Sequence, residues 1–165
     1  IKTLRPITKK IFDVHLMISP VNHFIEEFIK AGADIISFHP EADSDPINVL
    51  NLIKNHNCKS GIAIHPDVEI KEIKPLLNLV DNVIIMTVKP GFGGQNFMYN
   101  QTSKISFLQN LKKENNLKFE IEIDGGINKD TGMICKEKGA DVLVAGSYIF
   151  NSPNKEYKNI IDSLR

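Results

Sequence analysis

Six short apolar runs recur along the 165 residues, at 11–18, 33–38, 59–64, 83–88, 118–124 and 141–145. Between and after them lie helical patterns at 20–31, 46–57, 69–78, 103–113, 130–138 and 153–165. Strands alternating with helices of this size predict βαβ units around a parallel sheet. Ala31-Gly32-Ala33-Asp34 and Gly139-Ala140-Asp141 punctuate this alternation, with glycine as a left-handed helix cap leading straight into a strand. No linker or low-complexity stretch divides the chain, so residues 1–165 are expected to form a single domain.

The runs also alternate within themselves. Phe12, Val14 and Leu16 share one face of the first strand, and Asp13, His15 and Met17 the other. Phe119, Ile121 and Ile123 likewise alternate with Glu120, Glu122 and Asp124. An open doubly wound sheet meets helices on both faces and calls for apolar residues on both. Acidic residues on alternate positions suit a barrel whose interior opens toward a polar site, with the open sheet as the alternative.

Composition excludes some partners. Twenty basic and twenty acidic residues cancel, and no basic block stands out, so neither nucleic acid nor an anionic membrane is an expected partner. No apolar stretch approaches the ~18 residues that span a bilayer, and no signal peptide is visible. Cys58 and Cys135 lack metal-type or redox-type spacing and read as reduced thiols of a cytoplasmic protein, with a disulfide between them left open. The chain opens on Ile1 and is within a strand about ten residues later, as if it began mid-fold.

Chemistry-bearing residues gather at the C-terminal ends of the strands. Gly91, Gly93 and Gly94 break one run, Asp124-Gly125-Gly126 ends the next, and Gly146-Ser147 ends the last. Glycines there let backbone N–H groups converge on an anion, and a following helix start adds a favourable dipole. Three such turns on successive strand ends predict a phosphorylated substrate. His15 and Asp124 occupy the same station. A lone histidine is commonly a core residue and a strand-end aspartate commonly a cap. Imidazole with carboxylate, though, is an ordinary ligand pair for a divalent metal. His39, Glu41 and His65 are further rim or pocket candidates, whereas His23 and His56 fall in helical segments and read as surface residues. Met17 and Met86, at strand ends, are either core filler or a dry wall above a charged intermediate.

Taken together, Asp13-Val14-His15-Leu16-Met17, Met86-Thr87-Val88-Lys89-Pro90-Gly91-Phe92-Gly93-Gly94-Gln95, Ile123-Asp124-Gly125-Gly126-Ile127-Asn128 and Val144-Ala145-Gly146-Ser147 closely resemble the ribulose-phosphate 3-epimerase family, in order and across the chain. The resemblance implies a TIM (β/α)8 barrel that interconverts D-ribulose 5-phosphate and D-xylulose 5-phosphate in the cytoplasm. It implies His15 and Asp124 as ligands of one divalent ion (zinc, ferrous iron, manganese or cobalt), with Asp124 also an acid/base group. It implies substrate contacts from His15, Met17, Met86, Gly91, Phe92, Gly93, Gly94, Asp124, Gly125, Gly126, Gly146 and Ser147, and a homo-oligomer when intact.

Six strands are counted where the family has eight. The expectation is a partial barrel without its first two βα units, which in relatives carry a serine contact, the rest of the metal site and the opposing acid/base aspartate. His65 and Val68 depart from a usual asparagine and threonine. Two other functions stay open: epimerisation of a related ketose phosphate such as allulose 6-phosphate, and a catalytically silent sugar-phosphate-binding fragment.

Overall fold

The computed structural model describes residues 1–153 and 156–165. Six strands, β1 (Asp13–Leu16), β2 (Ile35–Phe38), β3 (Lys59–Ile64), β4 (Asn82–Met86), β5 (Glu120–Asp124) and β6 (Val142–Val144), form one wholly parallel sheet in sequential order. Seven α-helices accompany them among the described residues: α1 (Ile25–Ala31), α2 (Pro46–Asn55), α3 (Ile70–Ile73), α4 (Thr102–Glu114), α5 (Lys129–Lys138), α6 (Ser147–Phe150) and α7 (Tyr157–Asp162).

The sheet curls. In a flat sheet, His15 on β1 and Asp124 on β5 would stand four strand spacings apart, about 19 Å. Their side chains instead approach to 3.7 Å. This overturns the open-sheet alternative and makes the fold that of a TIM barrel with six strands in this chain. One face of each strand packs outward on the helices, through Ile36, Phe38, Ile62, Ile64, Val83, Ile85, Ile121 and Ile123. The inner face carries a small separate cluster of Ala63, Ile84, Met86 and Val88. The remaining inner positions include Asp13, His15, Ser37, His39, Asn82, Glu122 and Asp124. Polar residues on alternate positions are thus the barrel interior.

Local sequence explains most elements. Ile105, Leu108 and Leu111 make the buried stripe of α4, and Val49, Leu50 and Ile53 that of α2. Asp45 and Asn128 cap α2 and α5 by accepting backbone N–H bonds. Gly32 and Gly139 end α1 and α5 at φ 105° and 103°, as the punctuation predicts. The pattern at 69–78 divides differently: α3 stops at Ile73, and Lys74–Leu79 continues as a 3-10 helix. Pro75 causes this, since it lacks an N–H and its ring crowds the carbonyl four residues back. The start of the 20–31 pattern is also 3-10, and the short α6 falls outside the predicted helices. Among the described residues of the last pattern, 153–165, only Tyr157–Asp162 forms a helix, α7; residues 154 and 155 lie outside the described residues.

A repeated device sets register at the N-terminal strand ends. Asp34 Oδ2 accepts the Phe12 N–H at 2.7 Å, Asp81 Oδ2 the Ser60 N–H at 2.9 Å, and Asp141 Oδ2 the Ile121 N–H at 2.9 Å. Each aspartate immediately precedes its strand and clasps the one before it. Cys58 and Cys135 are free and buried, so no disulfide joins them. Among the described residues no helix is long and apolar enough to cross a membrane.

Candidate active site

The C-terminal ends of the strands surround a cavity of about 270 Å³. Met17 from β1, Met86 and the 88–95 loop from β4, Asp124-Gly125-Gly126 from β5, and Val144, Gly146 and Ser147 from β6 line it. The three glycine turns therefore converge, as their places on consecutive strands predict. Asp124 is the one carboxylate lining this cavity among the described residues, and Lys89 the one cation.

The glycines serve two ends. A Cβ on Gly91, Gly93, Gly94 or Gly146 would meet nothing within 4 Å, so these turns leave the backbone open to a ligand. Gly125 and Gly126 are packed instead: a Cβ there would stand 2.5 Å from a Val88 methyl and 2.8 Å from Phe97 Cα. Both also hold positive φ, 120° and 64°, which side chains rarely adopt. Sequence reasoning credits all of them to anion binding; for the Asp124-Gly125-Gly126 turn, close packing under the 88–97 loop is an equal reason.

Several residues that hold the site together do not stand out in the sequence. Thr87, fully buried, donates from its hydroxyl to the carbonyls of Asp124 and Gly125 at 3.1 and 2.6 Å. Thr131 Oγ1 donates to Gly126 O at 3.0 Å, tying the same turn to α5. Gln95 Nε2 donates to Lys89 O and Phe92 O at 2.6 and 2.8 Å, closing the glycine loop on itself. The signal is present in the Met-Thr-Val prefix and the terminal Gln of the glycine run, which read as family marks and not as hydrogen-bonding parts.

His15 reaches the site from β1. Its side chain is 13% exposed, and neither ring nitrogen has a hydrogen-bond partner among the described residues. Its Nδ1 lies 3.7 Å from Asp124 Oδ2, too long for a hydrogen bond and suited to a shared third atom. No group of three histidine, cysteine or acidic side chains that could hold a metal occurs among the described residues. Met86 is buried in the floor, whereas Met17 is 48% exposed at the mouth and Phe92 74% exposed on the loop. His39 is buried and His65 half-buried, while His23 and His56 are exposed, as expected.

Below the site lies a buried acid. Glu122 is 4% exposed, and Asn82 Nδ2 donates to its carboxylate. Burial pushes its carboxyl up to about 8, and the Asp13 carboxyl beside it pushes the same way. Glu122 is therefore largely protonated at neutral pH. Burial also holds the His39 imidazole below its usual range, with His15 adding to the effect.

Relatives and folds agree with this geometry. The chain is 38% identical over 142 residues to ribulose-phosphate 3-epimerase of Serratia marcescens, covering 86% of this chain and 68% of that protein. It is 38% identical over 166 residues to the Bacillus subtilis enzyme of the same name, covering 100% of this chain and 76% of that one. The crystal structure of KGPDC from Streptococcus mutans in complex with D-R5P superposes with a TM-score of 0.78 at 15% identity, over 99% of this chain and 77% of that one, a likeness of fold. A sequence model described as "Ribulose-phosphate 3 epimerase family" matches residues 1–150. With the strand-end turns converging on His15 and Asp124, the chain belongs to the ribulose-phosphate 3-epimerase family.

Proposed function

We propose that the site serves epimerisation at C3 of D-ribulose 5-phosphate to D-xylulose 5-phosphate. The observation that carries this is that Asp124, 3.7 Å from His15, lines one cavity together with the three glycine turns. The turns take the phosphate through backbone N–H groups, and Lys89 adds a positive charge at their edge. Anchoring the phosphate at β4–β6 fixes where the carbon chain lies and brings C3 beside Asp124. Asp124 then takes the C3 proton, made acidic by the neighbouring ketone, and returns it on the same face. Met86 closes the floor below Asp124, whose proton exchanges with solvent before it is returned.

His15 and Asp124 suit a divalent cation as two of its ligands. His15 has two buried nitrogens with no partner among the described residues, and Asp124 supplies a carboxylate oxygen within reach of the same atom. Such an ion would supply Lewis-acid stabilisation of the negative charge that forms next to C3. Inversion needs a second proton carrier on the far face, and no other carboxylate among the described residues lines the cavity. This chain is thus expected to exchange the C3 proton far better than it inverts the centre.

The test is deuterium incorporation. Ribulose 5-phosphate incubated with the chain and manganese in heavy water should gain label at C3, followed by NMR, with little xylulose 5-phosphate formed. Absence of label at C3, with inorganic phosphate shown to bind, would overturn the proton-transfer role of Asp124. A ketose phosphate one carbon longer should also exchange, because the cavity adjoins a second space across Met17 and Pro90.

A further inference from the structure

His39 is a buried polar group beside the site that the proposed reaction leaves unused. It follows β2, is 8% exposed, and neither ring nitrogen makes a well-formed hydrogen bond among the described residues, although the Ala63 main chain lies close enough to act on the ring. Buried polar groups are nearly always paired, and an unpaired one is costly unless something else satisfies it. The nearest carboxylate, Glu41, stands 3.6 Å from Nδ1, beyond hydrogen-bond range, with half its side chain in solvent. Its two ring nitrogens can supply a donor and an acceptor.

Its surroundings form a second cavity, of about 230 Å³, whose lining includes Met17, Ser19, His39, Glu41, His65 and Pro90. Met17 and Pro90 line the phosphate-side cavity as well, so the two spaces adjoin across them. The rings run in a row: His39 is 5.0 Å from His15 and 6.4 Å from His65, centre to centre. His65 is held from two sides. Its Nδ1 accepts the Asp67 N–H at 3.2 Å, and Lys104 Nζ donates to His65 O and Pro66 O at 3.3 and 2.9 Å. With Nδ1 accepting, Nε2 is the ring nitrogen left to meet another partner.

We infer that His39 and His65 form a hydroxyl-binding subsite for the end of the ketose remote from the phosphate. This rests on the sugar-phosphate reading of the glycine turns. A ligand anchored at the ends of β4–β6, with its reacting carbon at Asp124 and His15, can extend past His15 toward β2 and β3, where these two imidazoles stand. Ring nitrogens able to donate and to accept suit an alcohol. A charged group would face uncompensated burial there.

The test compares D-xylulose 5-phosphate with 1-deoxy-D-xylulose 5-phosphate, which lacks only the terminal hydroxyl, using calorimetry on the full chain. The wild type is expected to prefer the hydroxylated ligand by about three- to tenfold, the worth of one hydrogen bond. His39→Phe should abolish that preference, His39→Gln should restore part of it, and both should bind inorganic phosphate as the wild type does. The ¹⁵N signals of the His39 ring in the wild type supply an independent reading. They should move with xylulose 5-phosphate and not with inorganic phosphate. A preference that survives His39→Phe, or His39 signals that respond equally to both ligands, overturns the inference. Failure of inorganic phosphate to shift the Gly93 and Gly126 amides would instead overturn the underlying sugar-phosphate reading.

Discussion

One residue holds the main-chain carbonyl of Asp124 twice: Thr87 donates to it from its N–H at 2.8 Å and from its hydroxyl at 3.1 Å. The same hydroxyl also reaches Gly125 O at 2.6 Å. A strand-end carboxylate on a glycine turn is otherwise free to swing. Thr87 fixes the backbone on which it is mounted, from the neighbouring strand.

Thr87→Val keeps the shape and removes the hydroxyl, leaving the Gly125 carbonyl without this donor. We expect a loss of roughly 1–3 kcal/mol in stability by chemical denaturation. C3 exchange should fall further than that loss of fold explains, while Thr87→Ser restores both. Equal exchange by the folded valine variant and the wild type would show that Thr87 does not orient Asp124.

Asp124→Asn should cut C3 proton exchange by at least the roughly 10²–10⁴-fold typical of removing a general base. Phosphate affinity should be unchanged, since the glycine turns bind through backbone. Calorimetry with inorganic phosphate and NMR of the C3 position read the two halves separately. Near-normal exchange by the asparagine variant would move the proton-transfer role to another group.

Glu122 sets a pH dependence of stability. Its folded value, about 8, lies above the ordinary 4.5, so the folded chain holds the proton more tightly than the unfolded one. The stabilisation is complete below about 4.5 and is lost as pH rises through about 8. Each pH step of one between those two values is worth about 1.4 kcal/mol, which makes the loss of order several kcal/mol. In metal-free protein the melting temperature should fall between about pH 5 and 9, and Glu122→Gln should flatten that fall. A wild-type profile no steeper than that of the variant would mean that Glu122 is ionised within the fold.

Much of this is legible in the residues, for reasons that also mark where legibility ends. Strand alternation puts His15, Asp124 and Glu122 on one face, because a period of two survives any curvature of the sheet. The three turns are readable because glycine and small residues at strand ends have few other uses. The Asp34, Asp81 and Asp141 clasps are not: Gly-Ala-Asp at the first and last reads as a helix stop followed by a strand, Asp81 follows only Leu79-Val80, and none gives a sign of the partner strand. Nor is the isolation of His39, because burial without a partner depends on what lies across the barrel. Pro75 is visible but outweighed by the apolar pattern on either side of it.

The edges of the sheet lead to the last prediction. Among the described residues β1 pairs only with β2, and β6 only with β5, so each presents an unpaired side. Near them lie exposed apolar side chains, among them Ile7, Ile11, Val144 and Phe150, at 77%, 66%, 37% and 71%. Open parallel edges of this kind recruit further strands unless charge or covering blocks them. The Asp141 N–H already bonds Ile121 O at 2.8 Å, so the alternate Val142 N–H points away from β5 toward the open side. We expect the chain to self-associate at micromolar concentration in sedimentation velocity. Val142→Lys, which sets a charge on that edge, should shift it toward monomer without lowering phosphate affinity. A wild-type chain that sediments as a monomer at every concentration would show that the edges are shielded, and the lysine variant would then change nothing.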